Sequence, residues 1–225
     1  MIKVKGLVKK YKSGAAELLV LNGLDLEVKK GEFIAITGRS GSGKSTLLYQ
    51  LGLLDHPNSG EIIINGTDVM KLDKDERSNF RLNELGYVFQ DYALIPELTA
   101  LENIAIPLLM QGKSMDQIKK IAAEMLDRIG LGDRLNNLPS QLSGGEQQRV
   151  SIARAISHNP KVLFADEPTA NLDNETADAV LETFLSLHRE GQTIVMVTHE
   201  PEYAALTERI VLLDGGIIKN DKINK

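Results

Sequence analysis

The stretch Gly38-Arg39-Ser40-Gly41-Ser42-Gly43-Lys44-Ser45 restricts this chain more than any other. It fits the pattern G-x-x-x-x-G-K-[ST], and Thr46 follows. Glycines in that spacing let the backbone curl until successive N–H groups point inward at a phosphate chain. Lys44 can reach the outer phosphates as a point charge, and the Ser45 hydroxyl is placed to ligate Mg²⁺. The flanks agree with the motif. Phe33-Ile34-Ala35-Ile36-Thr37 reads as a buried strand, and Lys44 to Leu54 reads as a helix whose N-terminal dipole attracts an anion. A plain glycine turn is the weaker reading, because strand, loop and helix all fall where a phosphate loop needs them.

The remaining periodicity extends that strand–loop–helix unit into an α/β domain. Residues 2–8 and 18–28 alternate as antiparallel strands, and Tyr11 falls between them in a Lys-rich loop with Gly14. An exposed Tyr there suits either stacking on a base or ordinary packing. Asn58-Ser59-Gly60 reads as a turn, Glu61 to Asn65 as a short strand, Asp73 to Asn83 as a polar helix, and Leu85 to Phe89 as a strand ending at Gln90. The texture then turns helical. Thr99-Ala100-Leu101-Glu102 and Ser114-Met115-Asp116-Gln117 are capping boxes, and Pro107 is expected to end or kink the first of these helices. Ile118, Ile121, Ala122, Met125, Leu126 and Ile129 form one stripe stopped by Gly130, and Ser143 caps a third helix running to about His158.

From Lys161 the buried strands return: Val162 to Asp166 and Thr193 to Thr198, with a helix from Asn174 to Arg189 between them. A hairpin follows across Asp214-Gly215-Gly216, and Asp221 to Lys225 reads as a loose polar tail. Apolar strands alternating with helices predict a mostly parallel sheet covered on both faces. The expected organisation is one domain over 1–225. An α/β core (1–90 and 159–225) carries an N-terminal antiparallel β-subdomain, and a helical subdomain (91–158) is inserted into it.

Several residues outside the loop have the right chemistry. The strand Val162 to Asp166 delivers Asp166 to its C-terminal edge, where ligands bind in such sheets, and Asp166 suits a Mg²⁺ shell. Glu167 can point to the other side of that strand end and accept a proton from, or orient, an attacking water. His199 closes the next strand, where an imidazole serves equally well as a phosphate or water contact or as a structural residue. Gln90 ends another strand; its amide oxygen suits Mg²⁺ or water, and a plain polar loop residue is an equal reading. Leu142-Ser143-Gly144-Gly145-Glu146 is a second anion-seeking helix start, and nothing in the pattern says that it meets the same phosphate as the first.

The bulk properties exclude other classes. With no cysteine among 225 residues there is neither a disulfide framework nor a cysteine-based metal site. A net charge of −5 argues against nucleic acid and anionic membrane surfaces. No apolar run approaches the roughly 20 residues of a spanning helix, so a membrane role would run through another protein.

The set Gly38 to Ser45, Gln90, Leu142 to Glu146, Val162 to Glu167, Asn171-Leu172-Asp173 and His199 resembles the ATP-binding-cassette ATPase family in order and spacing, over essentially the whole chain. Gly86 to Gln90, Leu94-Ile95-Pro96, Leu98 to Asn103 and Ala165 to Thr169 narrow the resemblance to the subgroup that serves macrolide exporters and lipoprotein-release systems. The signature departs from that subgroup's common glutamine at Glu146, and Ala170 stands where glycine is frequent. The resemblance implies a P-loop NTPase core hydrolysing Mg-ATP. It implies a head-to-tail homodimer in which Ser143, Gly144, Gly145 and Glu146 of one copy, with Asp173, meet ATP held by Gly38 to Thr46 of the other. It implies that Tyr11 stacks on adenine, that Ser45, Gln90 and Asp166 surround the metal, and that Glu167 and His199 are catalytic. It implies a partner permease in the membrane, with room for an adaptor beyond it, and a peripheral position on the cytoplasmic face. Membrane complexes of cell division or peptide-antibiotic sensing are the alternative setting. A nucleic-acid or ribosome-associated cassette fits less well, for want of cysteines, a second cassette or a heptad arm.

Overall fold

The computed structural model describes residues 1–14 and 16–224. Two sheets organise them. Strands β1 (Ile2–Ser13), β2 (Ala16–Val28), β4 (Ser59–Ile64) and β5 (Thr67–Asp68) form an antiparallel sheet in the order β2-β1-β4-β5. Strands β3 (Phe33–Thr37), β6 (Leu85–Val88), β7 (Val162–Asp166), β8 (Thr193–Val197), β9 (Arg209–Asp214) and β10 (Ile217–Ile223) form the second, in the order β10-β9-β3-β8-β7-β6. Its pairings are parallel except for the terminal β9–β10 hairpin. The expected fold class therefore holds: a mostly parallel core sheet, an antiparallel N-terminal sheet and a helical insertion.

The packing explains the layers. Helix α1 (Lys44–Leu51) buries Leu47, Leu48 and Leu51 between the two sheets, against Leu21, Leu24, Ile34, Ile36 and Val197. The opposite face of the parallel sheet is covered by α5 (Gly144–Ile156) and α6 (Asn174–Arg189), through Ile152, Val180, Phe184 and Leu187. Strands buried on both faces explain why β7 and β8 read as unbroken apolar runs. Helices α3 (Ala100–Met110) and α4 (Met115–Arg128) share a separate cluster with α5, built on Ile104, Ala122, Leu126 and Val150. Both expected capping boxes are made. Thr99 and Glu102 close one, and Ser114 and Gln117 the other.

The structure departs from the sequence expectation at five places. Ser59 and Gly60, expected in a turn with Asn58, open β4 instead. The β1–β2 hairpin is longer, so Tyr11 lies within β1, paired with Leu18, rather than in a loop. Helix α1 stops at Leu51. Gly52 caps it, Leu53 turns to φ 56°, and Arg77 and Arg81 from α2 (Lys74–Glu84) hold the Leu53 carbonyl. Of the two effects expected of Pro107, an end or a kink, the end does not occur. The helix continues to Met110, because Ile104, Ala105 and Leu108 on both sides of the proline are buried and hold it in place. The tail is not loose up to Asn224. Arg209 donates twice to Asp221, at 2.6 Å each, and also reaches Glu32 and the Glu27 carbonyl, which locks β10 onto the sheet. Lys225 lies outside the described residues.

Candidate active site

Parallel strands deliver their C-terminal ends to one edge, and here they deliver the chemistry. Across the sheet Ile36, Val197 and Asp166 stand in one row, so the residues that follow β3, β8 and β7 meet at a single cleft of about 950 Å³. The phosphate loop, Glu167 and His199 line it, with Leu18 and Val20 of β2 and Leu212 of β9 as its apolar walls.

Gly38 opens the loop at φ 149°, and a Cβ there would overlap the Leu213 carbonyl and crowd Ser42 Oγ. No other residue permits that turn against β9. Lys44, buried at the start of α1, donates to the Gly38 and Arg39 carbonyls at 3.0 and 3.3 Å. Ser45 Oγ donates to Asp166 Oδ1 at 3.0 Å. Burial pushes the Asp166 pKa upward and the neighbouring Glu167 charge adds to this, while the Ser45 hydrogen bond and the Lys44 charge work against it. A hydroxyl and a carboxylate so close, both hard oxygen donors, suit Mg²⁺, whose charge would favour the ionised Asp166.

Glu167 sits in the left-handed region at φ 44°, fixed by its N–H donating to the Val197 carbonyl at 3.0 Å. That backbone turn separates it from Asp166 and aims its carboxylate across the cleft. Its Oε1 lies 4.0 Å from Lys44 Nζ, and its Oε2 lies 3.1 Å from His199 Nδ1. The other ring nitrogen of His199 is 3.0 Å from Glu200 Oε1. A carboxylate, an imidazole and an ammonium thus stand beside the phosphate loop, a set with the chemistry to take up a proton next to a bound phosphate.

The remaining expected residues lie elsewhere. Gln90 is exposed after β6 and is not among the residues lining the cleft. Ser143 is exposed and uses its hydroxyl to cap α5, while Glu146 accepts a hydrogen bond from the Ser143 N–H. Gly144 and Gly145 pack beside Tyr92, Leu172 and Thr176; a Cβ on Gly145 would overlap the Thr176 methyl, which leaves only glycine room. Asp173 caps α6 by accepting from Thr176 N–H and Oγ1, contacts that lower its pKa. The second glycine-rich stretch and Asp173 are therefore neighbours of one another, apart from the cleft. Tyr11 stands at the hairpin margin, its hydroxyl 2.8 Å from Asp55 Oδ2.

Three sets of contacts near the site have no sequence signal. Arg154, on α5, donates to the Tyr92 and Ala93 carbonyls at 3.0 and 2.7 Å, and both residues are left-handed. Gln148, fully buried on the same helix, donates to the Pro168 carbonyl at 2.8 Å. Helix α5 is thus tied at once to the segment after Gln90 and to the segment after Glu167. Asp55 collects the third set, from Lys9, Tyr11 and Gln50. Contacts between side chains and groups so distant in sequence leave no periodic trace.

Comparison with known proteins bears on the family and the overall fold. The family profile described as ABC transporter matches residues 21–170. The lipoprotein-releasing system ATP-binding protein LolD of Aquifex aeolicus is 51% identical over 88% of this chain and 89% of its own. The macrolide export ATP-binding/permease protein MacB of Bartonella quintana is 46% identical across 100% of this chain, which spans 34% of that longer protein. Among solved structures, a dimeric ATP-binding cassette in a post-hydrolysis state with ADP and Pi superposes with a TM-score of 0.93. It is 40% identical, covering 100% of this chain and 99% of that one.

Proposed function

The chain belongs to the ABC transporter family of ATP-binding ATPases, and we propose that its working form is a head-to-tail dimer that drives a separate membrane subunit. One observation carries the proposal. The phosphate loop and the Ser143–Gly145 stretch are both built to receive anions, yet within one chain the second stands away from the cleft that holds the first. In a head-to-tail dimer each stretch closes over the nucleotide of the other copy. The solved cassette is itself dimeric with ADP and Pi bound, which supports a dimer as the working form.

In this reading Gly38 to Thr46 cradle the phosphates, Lys44 neutralises the outermost of them, and Glu167 accepts a proton from the attacking water. His199, hydrogen-bonded to Glu167, holds water and carboxylate in register. Ser45 and Asp166 are the residues to hold Mg²⁺, which when bound would neutralise charge on the transferring phosphoryl group; Gln90, outside the cleft of the single chain, would join them only by moving in. Ser45→Ala tests that role. Half-maximal ATP hydrolysis should require roughly 10–100-fold more Mg²⁺, while ATP binding measured in chelator stays unchanged. An unaltered Mg²⁺ requirement would remove Ser45 from the metal shell.

Among the described residues no helix is long and apolar enough to cross a membrane. We place the chain on the cytoplasmic face, held there by a permease subunit that serves export or lipoprotein release. Residues 91–158 act as the lobe that passes closure to that subunit. The ties from Arg154 and Gln148 of α5 to the loops after Gln90 and Glu167 support this role. Affinity purification of the tagged chain from native membranes should recover one integral membrane protein in stoichiometric amount; recovery of the chain alone would count against the assignment.

A further inference from the structure

We infer that Asp55, Lys9 and Gln50 form a brace that presets the Tyr11 ring as a one-faced platform for a nucleobase, at a fixed position relative to the phosphate loop. The inference rests on the reading that Tyr11 stacks on the base.

The ring is held by its hydroxyl and covered on one face. Asp55 Oδ2 lies 2.8 Å from the Tyr11 hydroxyl, 2.8 Å from Lys9 Nζ and 3.1 Å from Gln50 Nε2. Its other oxygen accepts from the His56 N–H at 2.7 Å. Burial alone would raise the Asp55 pKa, but the hydrogen bonds from Lys9, Tyr11, His56 and Gln50 outweigh it and bring it down to about 2. The carboxylate is therefore a permanent acceptor at any physiological pH. Lys9 is only 8% exposed; its ammonium also donates to the His56 carbonyl at 2.6 Å and sits 4.7 Å from the Tyr11 ring centroid. One face of the ring is thus taken by a cation, a favourable contact in itself. Tyr11 remains 38% exposed, and its register partner Leu18 lines the cleft, so the ring stands at the cleft margin.

Gln50 gives the brace its consequence. It is fully buried near the C-terminal end of α1, the helix that begins at Lys44. The same rigid helix holds the phosphate loop at one end and, through Gln50 and Asp55, the ring hydroxyl at the other. Base platform and phosphate cradle are held at one spacing before a nucleotide arrives. A freely rotating ring would have to be ordered on binding, at a cost in affinity.

The test compares Mg-ATP with Mg-tripolyphosphate, which shares the phosphates and lacks the base, by calorimetry on the full chain. Tyr11→Phe keeps the ring and removes its anchor; Asp55→Asn removes the acceptor charge; Tyr11→Ala removes the platform. Tyr11→Ala should weaken ATP about tenfold or more. Tyr11→Phe and Asp55→Asn should each weaken ATP about two- to tenfold, with tripolyphosphate affinity unchanged in all three. If Tyr11→Ala weakens ATP but Tyr11→Phe and Asp55→Asn leave it intact, the brace is wrong and stacking stands. If Tyr11→Ala leaves the ATP-to-tripolyphosphate ratio unchanged, stacking itself is wrong and the brace falls with it. Equal losses for both ligands would assign these residues to the fold alone. Tyr11→Phe decides the matter unaided if Asp55→Asn does not fold.

Discussion

Glu167→Gln is expected to lower ATP turnover by about a hundred- to ten-thousandfold and to leave ATP binding intact or tighter. The substitution keeps side-chain volume and leaves an amide oxygen that can still accept from His199 Nδ1, which lies 3.1 Å from the native carboxylate. What it removes is the ability to take a proton. It also removes a negative charge 4.0 Å from Lys44, so the phosphates meet a more positive cleft. The dimer should therefore form with ATP and persist, because the reaction that reopens it is blocked. Two measurements check this together: steady-state phosphate release, and the mass of the protein eluted with and without ATP. A wild-type rate from the variant would strip Glu167 of its catalytic role. Loss of ATP binding would mean that the carboxylate holds the cleft together instead.

How much of this is legible in sequence depends on the range of the interaction. Local signals read well. The capping boxes at Thr99, Ser114 and Ser143 are made by residues three apart, and all three helices begin where the pattern puts them. Strands β7 and β8 are buried on both faces, so their apolar runs are unambiguous, and the residues that close them fall at one sheet edge by topology alone. Signals that depend on a distant partner read poorly. Asp221 looks like a solvated tail residue until Arg209 is seen beside it. The end of α1 is misread for the same reason. Leu54 continues the apolar pattern, but Arg77 and Arg81 claim the carbonyl of Leu53 and turn the chain. As a helix stop, Pro107 misleads in the opposite sense, since burial of its neighbours outweighs the lost hydrogen bond.

The cleft shows the same division. Gly38 to Thr46, Asp166 and Glu167 are legible because strand ends and a glycine loop have fixed geometry. The left-handed turn at Glu167 is not, since no residue type announces it; the Val197 carbonyl imposes it. Arg154 is the clearest omission. On α5 it looks like a surface cation, yet it satisfies two carbonyls of left-handed residues that follow Gln90. A nucleotide-dependent shift of either loop therefore has a direct mechanical route into α5, whose cap and first turn are Ser143 to Glu146.

That placement makes the composite site open to a mixing experiment. Lys44→Ala disables the phosphate loop of its own chain and leaves its Ser143 stretch intact. Ser143→Arg does the reverse, adding bulk and replacing the helix cap at an exposed position. Each variant alone should be nearly inactive, because every nucleotide in either homodimer meets one damaged half. Mixed in equal amounts, half the dimers are heterodimers, and each of these pairs an intact loop with an intact Ser143 stretch at one of its two sites. Activity should then recover to about a quarter of wild type, as random pairing with twofold symmetry requires. Loss of the Ser143 cap costs the helix about 1 kcal/mol, so melting temperature measured on Ser143→Arg separates a misfolded variant from a blocked one. If the mixture stays as inactive as its components while both fold and bind each other, the phosphate loop is completed within its own chain and the head-to-tail assembly is wrong.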